Sequence, residues 1–153
     1  MQNYEFLNKI PDNWQKVDGE ELEKLGLIKS EEFIFLGAFY SNEQIIFFHQ
    51  YPEIPNFLET LKEAYLNLFI YDKTSQKNGV SSSVFVELGE FKEHKFLFYV
   101  SNVENNLKLS LQIFCQTEYG NFGVITAIDF DKSLSFEKIV KIPLVNQIIS
   151  LFV

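Results

Sequence analysis

The chain has 153 residues, a formal net charge of -8 and no arginine. Arginine supplies the forked contacts that read phosphate and guanine, so an acidic chain without it argues against nucleic acid and against anionic membrane surfaces as partners. A single cysteine, Cys115, leaves no intramolecular disulfide, and no stretch approaches the ~20 apolar residues of a membrane-spanning helix.

One domain over residues 1–153 is expected, because the 17 phenylalanines supply a core that needs no disulfide or metal staple. Met1 to Ile10 carries Glu5 and Asn8 and lacks a long apolar run, so no signal peptide is expected and the expected compartment is cytoplasmic. Residues 4–10, "YEFLNKI", read as a first strand with Tyr4, Phe6 and Asn8 on one side, ended by Pro11. Asp12 and Asn13 favour a turn, and "WQKVD" is a second short extended piece. Pro11 and Trp14 read as a structural corner, the indole packed against the sheet or a covering helix.

Asp18 is placed to cap a short helix, "GEELEKLG", with an acidic first turn, Leu22 and Leu25 inward and Gly26 at its end. Next comes a hairpin. Phe33, Phe35, Gly37 and Phe39 are expected on one face, Ile34, Leu36, Ala38 and Tyr40 on the other, with a turn at Ser41 to Glu43 and a return over Ile45 to Tyr51. Both of its faces are apolar, so both should be covered. Residues 56–71 carry the clearest helical period, Phe57, Leu61, Ala64, Tyr65 and Leu68, and "DKTSQKNG" should break it.

The second half reads as a meander: Ser83 to Glu90, His94 to Ser101, Leu107 to Glu118 and Val124 to Phe130, with "YGNFG" as the last turn. Leu109, Leu111, Ile113 and Cys115 alternate with polar neighbours, predicting one buried and one largely wet face. The closing "SLSFEKIVKIPLVNQIISLFV" predicts a helix kinked or divided at Pro143, with Ser133 or Ser135 as a cap. The order β-β-α-β-β-α-β-β-β-β-α gives an α+β fold: an α/β/α sandwich whose mostly antiparallel central sheet is flanked by helices.

Residues with chemistry are sparse. His49 alternates with Phe47 and Tyr51 and reads as a packed sheet histidine, while His94 sits at a solvated turn. Cys115 shares a face with aliphatic residues and reads as a small buried hydrophobe. No nucleophile elbow, phosphate-binding loop or dinucleotide fingerprint is present. No catalytic residue, cofactor or metal is therefore assigned, and an enzyme is not expected.

The opening strand into "IPDNW", the covered hairpin, the helix before a polar loop, and the four-strand meander closing on "FEKIVKIPLVNQIISLFV" together resemble the PsbP-like superfamily. That superfamily includes the photosystem II extrinsic P protein, a Ran-binding import factor and many small bacterial proteins. The corner at Pro11 and Trp14, and a terminal helix ending near Ser150 and Phe152, carry the same resemblance. It implies a sandwich that binds other proteins, generally without catalysis, and it carries over no particular binding residue.

The leading expectation is a non-enzymatic protein-binding module with a basic partner, in concrete form an immunity or accessory protein of a bacterial toxin-secretion system. Aromatic and acidic residues expected at turns are the contact candidates: Tyr51, Glu53, Glu104, Tyr119 and Phe122. The alternative is a carrier of a small molecule or lipid, with Phe35, Phe39, Phe47, Phe98 and Phe114 lining a pocket between sheet and helix.

Overall fold

Residues 122–128, "FGVITAI", form an almost unbroken apolar run, and such a run belongs in the middle of a sheet with both faces covered. The computed structural model, which describes residues 5–24, 33–75, 81–103, 108–129 and 133–153, places it mid-sheet, with Phe122, Val124 and Ile128 buried and Ile125 and Ala127 half-buried on the other face. Strands β1 (Gln15–Lys16), β2 (Ile34–Ser41), β3 (Gln44–Tyr51), β4 (Ser81–Phe91), β5 (His94–Val103), β6 (Lys108–Thr117) and β7 (Gly120–Asp129) form one antiparallel sheet. Its order is β1-β2-β3-β7-β6-β5-β4, so β7 is central and joins the first hairpin to the later meander.

The two faces hold separate cores. Phe48, Phe98, Leu111, Ile113, Phe122 and Val124 point to one face. Helices α3 (Phe136–Val140) and α4 (Pro143–Ser150) cover it, together with a 3-10 turn at Glu5–Lys9. The other face carries Leu97, Tyr99 and Phe114 beneath Phe57 and Leu58 of helix α2 (Phe57–Ser75). The fold is thus α+β, with helices on both sides of the sheet.

Several local expectations hold. Asp18 caps α1 (Gly19–Lys24), its Oδ1 accepting from Glu21 N at 2.9 Å. Ser135 caps α3 through Lys138 N, and Pro143 divides the terminal helix by opening α4. Trp14 is buried in the larger core, and its backbone N–H closes the corner onto Pro11 O at 3.0 Å. Leu25 and Gly26 lie outside the described residues.

Several other expectations are corrected. Residues 5–9 form the 3-10 turn instead of a strand: Phe6 is buried while Leu7 and Ile10 are half-buried, a spacing that suits a helical turn laid on the sheet. The strand reading fails because those three apolar residues must reach the same surface.

In the hairpin, the register shifts between Phe35 and Gly37. One extra residue reverses the side-chain alternation beyond it. Phe33 and Phe35 therefore meet His49 on one face, while Phe39 meets Phe48 on the other.

Helix α2 runs past residue 71 to Ser75, with Leu68 exposed. It packs chiefly on β4, with lesser contact to β5 and β6. Phe114, expected on the wet face of its strand, lies buried under this helix against Phe57 and Tyr65.

The last turn is at Glu118 and Tyr119, because Gly120 already pairs with Thr117 in the β6–β7 ladder. Phe122 consequently lies within a strand.

Two glycines are required by close approach. Phe136 stacks on Phe98 with 4.6 Å between ring centroids and occupies the space that a Cβ on Gly89 would need. A Cβ on Gly123 would come within 2.6 Å of the Tyr51 ring and 3.2 Å of Phe114.

Candidate functional site

The end of the sheet where β5 and β7 start and β6 stops is left open by the helices. Three segments rim it: the Glu5–Lys9 turn, the Glu118–Tyr119 turn and the residues following α4. Between them lies a cleft of about 380 Å³. That volume falls at the lower end of the range for ligand pockets, roughly 300–1,000 Å³.

Its floor is aromatic. Phe6 meets Phe122 edge-on at 5.0 Å and Phe152 at 4.7 Å, and Phe122 lies 6.0 Å from Phe152. The position of Phe152 follows from the helix end: Leu151 N donates to Ile148 O and Phe152 N to Ile149 O, which turns the chain back over the sheet.

Tyr119 is the exposed member of the rim, with 46% of its surface accessible. Its turn is fixed by Thr117, whose Oγ1 accepts from Tyr119 N at 3.1 Å and donates to Gly120 O at 3.2 Å. The negative charge of Glu118 and then that of Glu5, with a hydrogen bond to Glu118, hold the Tyr119 phenol above its ordinary range. Glu5 and Glu118 line the same cleft as the exposed Tyr119 ring. Lys9 also lines the cleft, its Nζ donating to Val153 O at 3.2 Å. His94, from the start of β5, completes the polar lining and is exposed.

Of the five contact residues expected from the sequence, the cleft brings together Tyr119 and Phe122. The expectation of an exposed Phe122 is corrected: it is 2% accessible and forms part of the floor. Tyr51 is likewise not a free turn residue, since it packs 5.6 Å from both Phe57 and Phe114 beneath α2. Glu53 is exposed ahead of α2, on a segment separate from the cleft lining, and Glu104 lies outside the described residues. Glu5, Phe6, Lys9, His94 and Phe152 were missed. The spacing of Phe6, Leu7 and Ile10 was the available signal, since a helical reading of residues 5–9 leaves Glu5 and Lys9 solvated above a buried Phe6.

The pocket expected between sheet and helix is also corrected. Its five rings lie on opposite faces, Phe39 and Phe98 toward α3 and α4, Phe35, Phe47 and Phe114 away from them. Phe98 and Phe114 are fully packed. A shallower groove of about 250 Å³ does run along Ile45, Phe47, Ile125 and Ala127.

The remaining chemical groups are internal. His49 is buried against Phe33 and Phe35, its Nδ1 lacks a hydrogen-bond partner among the described residues, and burial lowers its pKa from 6.5 to about 4. Cys115 is buried in the larger core, and burial pushes its thiol up. Among the described residues, no group of three or more His, Cys, Asp or Glu side chains could hold a metal ion. Among them, too, no helix is long and apolar enough to cross a membrane.

Comparison with models of known protein families finds none that matches this chain, and comparison with curated proteins finds no match.

Proposed function

We propose that this protein is a non-enzymatic binding module for another, basic protein, and that the cleft beside Tyr119 is its contact site. The observation that carries this reading is the exposed Tyr119 ring, which shares the cleft with Glu118 and Glu5 above an aromatic floor. Exposed tyrosine over a partly dry apolar surface is a common energetic centre of protein interfaces. The net charge of -8 adds long-range attraction for a cationic partner.

In this reading the chain is a small cytoplasmic member of the PsbP-like superfamily. Helices on both faces of an antiparallel sheet support the likeness at the level of architecture, and architecture alone does not assign a partner. The concrete form is an immunity or accessory protein of a bacterial toxin-secretion system, which neutralises its partner by covering a basic surface. Size and acidity support that form. A second reading, a carrier of a small apolar molecule, is favoured by the volume of the cleft alone.

Affinity capture from the source organism's lysate at low salt, followed by a salt wash and mass spectrometry, tests the proposal. One stoichiometric basic protein, released by salt, is the expected result. Recovery of the chain with no protein partner overturns the reading, and a small molecule retained in native mass spectrometry moves the assignment to a carrier.

A further inference from the structure

The identity of the group that enters the cleft follows from its walls. The Tyr119 ring shares the cleft with a carboxylate from each of two separate segments, Glu5 and Glu118, and that set suits a cation that is itself flat and carries donors on both edges. Guanidinium meets that description: it stacks on a tyrosine face while donating to carboxylates with two parallel N–H groups. An ammonium is a compact point charge and gains less from the ring. The aromatic floor of Phe6, Phe122 and Phe152 adds room for an apolar neighbour, and about 380 Å³ exceeds what one side chain fills. Since this chain contains no arginine, a second copy of it cannot supply the group.

We propose that the cleft is an anchor pocket for one arginine of a basic peptide segment, its guanidinium stacked on Tyr119 and paired with Glu118 and Glu5, and an adjacent apolar side chain on the ring floor. This deepens the reading above and rests on it. Lys9 is engaged with Val153 O at 3.2 Å.

The test is a titration of the full chain with N-acetyl-Phe-Arg-amide, followed by backbone amide NMR at low salt. The neutral isostere N-acetyl-Phe-citrulline-amide and the lysine dipeptide serve as comparisons. Shifts are expected at residues 5–9, 94, 117–122 and 151–153. Affinity should fall about tenfold for citrulline, and by a similar factor for the arginine peptide against Glu118→Gln, as loss of one charge-assisted pair requires. Lysine should fall between the two. Equal binding of arginine and citrulline peptides, no shifts, or shifts confined to the groove along Ile45 and Ile125 would overturn the arginine pocket. That failure is distinct from failure of the binding-module reading: a captured, salt-sensitive basic partner would keep the latter standing.

Discussion

Trp14 and His49 show how single buried residues carry polar atoms at a cost. Trp14 packs in the larger core with its Nε1 lacking a hydrogen-bond partner among the described residues, so its value to the fold is volume. Trp14→Ala should therefore cost about 3–5 kcal/mol, whereas Trp14→Phe keeps most of the ring and removes the unmet N–H. Chemical denaturation of both variants checks this, and equal losses would contradict it. His49 gives a pH signature. Its pKa is depressed in the folded state to about 4 against 6.5, so the unfolded chain binds the extra proton between those values. Stability is fully present above pH 6.5 and is lost as pH falls toward 4, by at most about 3 kcal/mol from this residue. As pH falls across that window, the unfolding midpoint of the wild type should drop relative to that of His49→Leu. Parallel curves would rule out His49 as the source.

Among elements, the β4–β5 hairpin carries the plainest local conflict. Its two turn residues, Lys92 and Glu93, have φ values of 50° and 70°, a conformation that favours Asn-Gly. Replacing Lys92 and Glu93 by Asn and Gly should raise stability by about 1 kcal/mol through relief of backbone strain. A lower urea midpoint in the double variant would contradict that account. On β4 itself, Gly89→Ala should displace Phe136 from its stack on Phe98 and destabilise the chain by about 1–3 kcal/mol. A thermal melt within error of wild type would show that α3 accommodates the methyl group.

The same elements show what the sequence discloses. Asp18, Ser135 and Pro143 act within a few residues of their own positions, so the helix ends they set are legible locally. The alternation of Leu109 to Cys115 is legible because one face is uniformly apolar. The Glu5–Lys9 turn is different, since its conformation is set by a sheet surface assembled from residues more than forty positions away. The register shift before Gly37 leaves no mark in the apolar pattern, because both faces there are apolar. The cleft inherits the first difficulty: Tyr119 and Phe122 lie three residues apart and are legible together, whereas Glu5, His94 and Phe152 reach them through the tertiary fold.

At the scale of the molecule, one face of the sheet carries the larger core, α2 covers the other chiefly over β4 to β6 and leaves a groove along Ile45, Phe47, Ile125 and Ala127, and one end is open. In the proposed reading, binding falls to the surface because the two aromatic cores are packed, and the acidic balance favours a basic partner. The cleft is where exposed aromatic area and paired carboxylates coincide. The central claim is that Tyr119 anchors a basic protein there. The most direct measurement is the affinity of the captured partner for wild type and for Tyr119→Ala, with thermal stability recorded for both. The account predicts a loss of about 2 kcal/mol, roughly thirtyfold in Kd, with folding stability changed by no more than about 0.5 kcal/mol. Equal affinity for the two chains would contradict it and place the interface elsewhere on the molecule.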